Sequence, residues 1–359
     1  MDFRYSTEQD DFRASLRGLL REDTPQPADW ANGHDPKLWK RLSTEMELPG
    51  LHVPAEFGGA GATLVETAIA FDELGRSLAP VPFATHIFAI AAVLRAGDSE
   101  QRKDLLAGLL GGELIAAFAA CGPNAATSAT VRADHSGRHS VLTGECAPVL
   151  HGHVANVFVV PAADRGTVRL YVVAADASGI VAERLPSFDT TRPVARLRLN
   201  RVRAELLAAS SITGLERVLD TARVLLAAEM LGGAEACLER TVEYACSRRQ
   251  FGRAIGSFQA IKHLCADMMI EVDATRAAVM FAAMSAADDD DLSVAAPLAK
   301  AQAAETFVRC VESAIQIHGG IAFTWEHNLH RYFRRAKTSE ALFGSTAANR
   351  ALLADRAGL

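Results

Sequence analysis

Two segments in the C-terminal part of the chain carry side chains that can bind an anionic, hydrogen-bonding ligand. The first is Ser247-Arg-Arg-Gln-Phe-Gly-Arg253, followed by Phe258-Gln259, and the second is Gln316-Ile-His-Gly-Gly320. An arginine can pair with a diphosphate through parallel hydrogen bonds, and a glutamine amide can bond to ribose or phosphate oxygens. Adjacent glycines let backbone N–H groups approach an anion closely. The residues alone also fit a simpler reading, in which Gly319-Gly320 ends a helix and Arg248 is a surface residue.

Other catalytic and metal-binding patterns in the sequence are incomplete. His151 and His153 form an HxH pair without a third ligand at a useful spacing, so no metal site is predicted. The acidic run at 288–291 lacks the spaced ligands and turn glycine of a calcium loop and predicts a solvated connection between helices. The sequence contains no GxSxG, no GxGxxG between a strand and a helix, and no GxxxxGK[ST]. It therefore predicts neither a serine hydrolase nor a Rossmann or P-loop site.

Hydrophobic periodicity divides the chain into three parts that must position these residues. Apolar residues recur with helical spacing at 12–20 and 64–74, which predicts helices. Between residues 114 and 202, short runs such as 156–160 predict strands. Long apolar stripes follow from residue 214 and predict bundle-forming helices. The predicted fold class is α+β multidomain, with an N-terminal helical domain at 1–110, a middle β-barrel-like domain at 111–207 and a C-terminal four-helix-bundle domain at 208–359.

The composition limits the classes of function. A chain of 359 residues is long enough for two or three compact units at roughly 150 residues each. The net charge of -6 argues against nucleic acid as the main partner, because a phosphate-binding surface usually leaves a basic surplus. The polar N-terminal segment lacks a signal pattern, and the longest uncharged apolar run, 79–94, falls short of the roughly 20 residues that cross a bilayer. A cytoplasmic protein without a membrane partner is expected.

The order of the three parts and their motifs resembles the acyl-CoA dehydrogenase family along essentially the whole chain. The matching motifs are Arg248-x-x-Phe251-Gly252, Gln259, Gln316-x-x-Gly319-Gly320, Pro54-x-x-Phe57-Gly58-Gly59 and Arg334-Arg-Ala-Lys337. The resemblance implies an FAD cofactor, a tetramer built as two dimers, and α,β-dehydrogenation of an acyl-CoA thioester. It also implies an electron-transfer flavoprotein as the electron acceptor.

The family's catalytic base has no equivalent at either usual position. The family's Tyr-Glu-Gly-Thr segment reads Leu342-Phe-Gly-Ser345 here, so Phe343 stands where the glutamate would be. The alternative family base immediately precedes an arginine at the start of a long helix, where this chain has Ala222 before Arg223. Because neither side chain accepts a proton, no catalytic residue is predicted. The resemblance assigns substrate contacts to Asp220 and Arg223.

The middle domain departs from the family pattern in the same direction. The family loop that contacts flavin and substrate corresponds to residues 121–128, of which Pro123, Asn124, Ala125 and the hydroxyl of Thr127 match. The family's Trp-Ile-Thr-Asn strand aligns with Pro148-Val-Leu-His151. Pro148 offers no aromatic plane to the flavin, and Leu150 has no hydroxyl to bond to flavin N5.

The motifs that this chain retains and those that it lacks serve different subunits of a family dimer. In family dimers the Arg and Gln-Gly-Gly motifs reach across the interface to the diphosphate and adenosine of the neighbour's FAD, whereas the base and the β-domain serve the subunit's own flavin. This pattern resembles the non-catalytic subunit of heteromeric α2β2 acyl-CoA dehydrogenases of actinobacterial steroid and cholesterol breakdown. The resemblance implies a catalytic paralogue as partner, a steroid side-chain derived acyl-CoA, and a cofactor-binding set formed by Arg248, Gln250, Phe251, Gln259, Gln316, Gly319 and Gly320.

Two other interpretations stay open at this point. The chain could be a self-sufficient homomeric dehydrogenase with another base, for which Glu229 and Glu340 are the candidates. Alternatively it could be a non-enzymatic acyl-CoA-binding protein on the same fold. Flavin content of the lone chain separates the first from the partner-subunit interpretation, and binding of acyl-CoA without flavin separates the second.

Overall fold

A computed structural model describes residues 3–23, 33–120, 122, 129–136, 139–287 and 289–359. The N-terminal helices are α1 (Thr7–Glu22), α2 (Pro36–Thr44), α3 (Leu64–Ser77), α4 (Phe83–Ala96) and α5 (Ser99–Leu109). The strands that follow are β1 (Ala116–Phe118), β2 (Val131–Ser136), β3 (His139–Leu150), β4 (Val157–Asp164), β5 (Thr167–Ala174), β6 (Ile180–Leu185) and β7 (Val194–Leu206). The C-terminal elements are α6 (Ile212–Ser247), β8 (Arg249–Gln250), β9 (Arg253–Ala254), α7 (Gln259–Met284), α8 (Asp289–His318), α9 (Leu329–Ala341) and α10 (Thr346–Arg356).

Reciprocal capping fixes the starts of several helices. The Ser6 hydroxyl accepts a hydrogen bond from the Gln9 backbone N–H at 3.3 Å, and the Gln9 side chain accepts one from the Ser6 N–H at 3.0 Å. These bonds satisfy donors that the first helical turn leaves without a partner. Thr63 and Asp98 begin α3 and α5 with the same arrangement.

The strands of the middle part close on themselves. β4 pairs with β2, β2 with β3, β3 with β7, β7 with β5, and β5 again with β4, while β6 pairs with β7 and β1 extends from β4. The interior of this barrel is apolar and includes Leu142, Phe158, Tyr171 and Leu197. The barrel is therefore a packed body with its own hydrophobic core.

Helix α6 is the central element of the helical part and packs closely on α3. A Cβ atom at Gly232 would lie 1.9 Å from the backbone oxygen of Asp72, and one at Gly75 would lie 2.1 Å from that of Glu229. Glycine at both positions is thus what allows the two helices to approach. A second hydrophobic core runs continuously from α1 through α3, α4 and α6 to α8 and the loop before α10.

The structure confirms the predicted fold class of helical, β and helical parts. The predicted loop is wrong at 289–291, because α8 begins at Asp289. Acidic residues suit the first turn of a helix, where the backbone dipole is positive. Residue 288 and all of 121–128 except Gly122 lie outside the described residues. Among the described helices, none is long and apolar enough to cross a bilayer. The domain boundaries at 110 and 207 stay a prediction.

Candidate functional site

The first predicted motif forms a tight hairpin at one end of the helical bundle. Strands β8 and β9 are joined by the two-residue turn Phe251-Gly252, whose φ angles are +50° and +78°. Two successive positive φ values match the twist of a hairpin but are unfavourable for a residue with a side chain. The phenyl ring of Phe251 is 91% exposed. The backbone therefore holds an aromatic side chain in a strained conformation and directs it away from the core.

The second motif opens at the same end of the bundle. The His318 ring stacks on the Tyr244 ring with centroids 4.2 Å apart, which joins the last turns of α8 and α6. Gly319, with φ +66°, ends α8, and a Cβ placed on Gly319 or Gly320 would meet no heavy atom within 4 Å. The backbone at these glycines is therefore accessible to a ligand or to another chain.

All but one of the seven predicted cofactor-binding residues are exposed, and Gly319 is half-buried. Exposed aromatic residues lie on the segment that follows the glycines, with Phe323 at 74% and Trp325 at 69% exposure. The Arg334 guanidinium lies 5.1 Å from the centre of the Trp325 ring. An exposed patch that is rich in aromatic and arginine side chains is typical of an interface.

The positions that would carry the family base lie in the opposite environment. The Phe343 side chain is 1% exposed and its ring meets the Phe88 ring edge-on, with centroids 5.3 Å apart. Ala222 and Leu150 are equally buried, and both belong to the same continuous hydrophobic core as Phe343. Apolar side chains therefore stand where the family has a carboxylate base, at both possible positions, and where it has the hydroxyl that bonds to the flavin.

The two predicted substrate contacts are paired with each other. Asp220 Oδ1 accepts hydrogen bonds from Arg223 Nη1 at 2.7 Å and from Arg356 Nη1 at 2.9 Å. Arg223 Nε also donates to the Phe343 carbonyl at 3.3 Å. Both side chains are buried, so these charges hold the loop before α10 against α6. Arg356 belongs to this group but was not predicted.

Glu229, one candidate alternative base, is part of a buried ion-pair cluster. Its Oε1 accepts hydrogen bonds from both Arg192 and Arg335. Arg335 Nε also donates to Asp189 Oδ2 at 2.6 Å. Burial would raise the pKa of Asp189, but Arg335 and then Arg192 hold it below its ordinary value. The cluster joins the segment before β7 to α6 and α9, which is a structural role.

Glu340, the other candidate, lies half-buried on α9 beside a buried lysine. Lys300 Nζ donates to the carbonyls of Glu340 and Gly344 at 3.2 and 3.3 Å. Burial, and then the charge of Arg223, lowers the pKa of Lys300 to about 7. Lys300 therefore stabilises the segment that contains Phe343 by binding the backbone carbonyls at both of its ends.

His151, half of the HxH pair, is a buried structural residue. Its Nε2 lies 3.1 Å from the Gly33 carbonyl oxygen. Burial and the nearby Arg192 charge hold the pKa of His151 well below its ordinary value.

Among the residues that the structure describes, one half of an FAD site has suitable side chains and the other does not. Exposed guanidinium, amide and backbone N–H groups at the hairpin and the glycines fit an anionic diphosphate. Around Leu150, Ala222 and Phe343, buried hydrocarbon does not fit a flavin ring that is approached by a base.

Comparisons with known proteins identify the family. The model of the acyl-CoA dehydrogenase N-terminal domain matches residues 6–113, and that of the C-terminal domain matches 213–358. The chain belongs to the acyl-CoA dehydrogenase family. It is 35% identical to acyl-CoA dehydrogenase IpdE2 of Mycobacterium tuberculosis over 334 residues, which cover 92% of this chain and 87% of that protein. The predicted family is therefore confirmed.

Solved structures of other acyl-CoA dehydrogenases have the same fold. The Tcur3481-Tcur3483 steroid acyl-CoA dehydrogenase, as its G363A variant, is 31% identical, with a TM-score of 0.90 and 98% coverage of both chains. The ChsE4-ChsE5 complex of Mycobacterium tuberculosis is 26% identical, with a TM-score of 0.92 and coverage of 100% of this chain and 99% of that chain. Together these similarities confirm the resemblance to the heteromeric, steroid-type members, since the first structure is described as a steroid enzyme and the second as a complex of two differently named chains. Acyl-CoA dehydrogenases are oxidoreductases that act on CH–CH bonds, and the family implies FAD.

Proposed function

We propose that this chain is the non-catalytic partner subunit of a heteromeric α2β2 acyl-CoA dehydrogenase. The observation that carries the proposal is the contrast between two sets of residues. Phe343 and Ala222, at the base positions, are buried in hydrocarbon, whereas the set that would reach a neighbour's cofactor is exposed at one end of the bundle. The chain would thus complete an FAD site without performing the proton abstraction.

FAD bound in the partner supplies the acceptor for the substrate hydride. The residues of this chain act at the other end of the cofactor. Arg248 would pair with the diphosphate, the Gln316 amide would bond to polar groups of the adenosine half, and the backbone of Gly319 and Gly320 would accommodate the anion. The catalytic paralogue must then supply the carboxylate base and the contacts to the flavin ring.

The similar proteins support a narrower form of the proposal. The ChsE4-ChsE5 structure contains two differently named chains, and the Tcur3481-Tcur3483 enzyme is described as acting on steroids. We therefore propose a steroid side-chain derived acyl-CoA as the substrate of the complex. An electron-transfer flavoprotein as electron acceptor and a cytoplasmic location complete the proposal.

Co-expression with the catalytic paralogue tests it. The lone chain should contain little flavin and show no dehydrogenase activity, whereas the co-purified pair should be yellow and active. Arg248→Met in the pair should weaken FAD retention roughly tenfold, because a charge-assisted hydrogen bond is lost. Arg132→Met, at an exposed position on β2, is the matched control and should retain flavin. A colourless, inactive pair contradicts the proposal.

The lone chain also distinguishes the two other interpretations. Stoichiometric FAD and bleaching by acyl-CoA would indicate a self-sufficient enzyme, in which loss of bleaching in Glu229→Gln or Glu340→Gln would identify the base. Calorimetric binding of acyl-CoA to flavin-free protein, with no paralogue captured, would indicate a binding protein.

A further inference from the structure

A large cavity lies apart from the residues discussed so far. It has a volume of about 810 Å³ and lies between the loop before α3, the end of α4, the start of α6 and the turn that follows α7. We call it the arginine cavity and define it by Leu64, Arg95, Arg102, Arg217, Val218 and Met284. Its volume is within the range of natural small-molecule sites.

The polar part of the arginine cavity carries a surplus of positive charge. The described lining residues include three arginines, Arg95, Arg102 and Arg217, and one carboxylate, Glu56. Guanidinium groups stay charged at all physiological pH values, so this surplus is permanent. The lining therefore favours an anionic group in the ligand.

Two nitrogen atoms in the wall of the arginine cavity support this assignment. Arg102 Nε and His52 Nε2 are buried, and neither has a hydrogen-bond partner within the described part of the chain. The other ring nitrogen of His52 lies 3.2 Å from the Thr67 hydroxyl oxygen. Burial lowers the pKa of His52 to about 4, so its ring is neutral near pH 7 and the cationic groups of the wall are the arginines. Buried polar atoms without partners are uncommon in folded proteins, and a bound polar ligand or water is one way in which they are satisfied.

The rest of the wall is apolar. Leu64 and Val65 from α3, Ala91 and Leu94 from α4, and Met284 from the end of α7 contribute carbon surface. Such a wall stabilises an apolar body by removing it from water, at about 25 cal/mol per Å² of buried area. Charge at one part of the wall and hydrocarbon at the rest together describe an amphipathic ligand.

The arginine cavity is separate from the residues that resemble the family's substrate contacts. Val218 and Thr221 line the cavity, whereas Asp220 and Arg223 form the ion pair beside Phe343. At 100° per residue, these two pairs project from different sides of α6. None of the seven proposed cofactor-binding residues lines the cavity.

We propose that the arginine cavity binds an amphipathic anion, with an apolar body against α3 and α4 and a carboxylate or phosphate group at the arginines. This site does not depend on the proposed role as a partner subunit. Its ligand is recognised by charge and hydrocarbon and requires no flavin.

Isothermal titration of the full chain with decanoate, decyl phosphate and decan-1-ol tests the site. At least one of the two anions should bind, and the uncharged alcohol should bind at least roughly tenfold more weakly, because it cannot form charge-assisted hydrogen bonds. The stronger of the two anions identifies the preferred head group. If neither anion binds, or if the alcohol binds equally well, the proposal is wrong.

Two variants locate the binding. Arg102→Met keeps an apolar stem but removes the charge, and Ala91→Trp fills the apolar part; each should weaken binding of the preferred anion at least roughly tenfold. Arg132→Met is the control and should bind as the parent chain does. Melting curves establish that the variants fold. If Ala91→Trp does not fold, the result for Arg102→Met alone decides the outcome. Unchanged affinity in folded Arg102→Met overturns the assignment. Because the readout needs neither flavin nor the paralogue, it can fail while the proposed function holds.

Discussion

Replacing Glu229 by glutamine tests whether this residue is a structural ion-pair partner or a catalytic base. The Glu229 carboxylate is buried and shared by Arg192 and Arg335. In the variant, Arg335 would keep its ion pair with Asp189 at 2.6 Å. The Arg192 guanidinium would keep a 3.1 Å bond to the Ser339 hydroxyl and an amide oxygen at position 229, but it would lose the negative charge of its ion-pair partner. A buried guanidinium would thus lose its carboxylate, which costs about 3–5 kcal/mol of folding free energy.

The expected change in melting temperature follows from the chain length. Unfolding entropy of about 2.1 cal/mol/K per residue gives roughly 0.75 kcal/mol/K for 359 residues. A loss of about 3–5 kcal/mol therefore lowers the melting temperature by about 4–7 °C. Thermal unfolding of the purified chain, followed by circular dichroism, measures this shift.

Glu340→Gln is the matched control for Glu229→Gln. Glu340 is half-buried, and the substitution retains its backbone carbonyl, which accepts the Lys300 bond. Its side-chain charge acts on the pKa of Lys300 less than burial and Arg223 do. Its melting temperature should change by less than about 1 °C. An unchanged melting temperature in Glu229→Gln, together with lost flavin bleaching by acyl-CoA, would refute the structural role and identify Glu229 as a base.

Three further predictions concern other positions. The pKa of Lys300 is lowered to about 7, so between pH 7 and pH 9 the unfolded chain binds a proton that the folded chain lacks. The free energy of unfolding should therefore rise with pH by up to about 1.4 kcal/mol per unit. Urea titrations at several pH values measure this rise, and the Lys300→Met variant should lack the contribution of Lys300 to it. Phe343→Glu should not make the lone chain bleach with acyl-CoA, because Leu150 and Ala222 still fill the flavin side; bleaching would contradict the filled site. Gly232→Ala should destabilise the chain severely, since its Cβ would lie 1.9 Å from the Asp72 carbonyl oxygen. Gly18→Ala is the control: its Cβ would meet no atom within 4 Å, and it should raise the free energy of unfolding by about 0.5–1 kcal/mol. Similar melting temperatures for the two variants would disprove the close crossing of α3 and α6.

Local features of the fold could be predicted from the sequence, whereas long-range pairings could not. The apolar stripe at 12–20 lies on α1, whose start is set by neighbouring residues, Ser6 and Gln9. By contrast, the partners of Glu229 lie 37 and 106 positions away, and no local pattern relates them. The prediction of a loop fails at 289–291 because charge alone does not distinguish a loop from the first turn of a helix.

The candidate site divides in the same way. Arg248, Gln316 and the paired glycines were found because each belongs to a short motif with fixed spacing. Their common location required the contact between Tyr244 and His318, which are 74 positions apart. The arginine cavity gave no signal in the sequence, because its wall is assembled from separate segments that meet only in the folded chain.

At the hairpin turn of Phe251, the residue that would best stabilise the lone chain differs from the residue that would best serve the proposed assembly. A positive φ of +50° favours asparagine or glycine, so the phenyl ring there lowers the stability of the isolated chain and buries almost no surface within it. In the proposed assembly another molecule would cover the ring, and the surface buried there would offset the unfavourable turn. Substitutions that make the lone chain more robust at this position would therefore make it a poorer component of an assembly, and thermostability screens of the free subunit would select against its function.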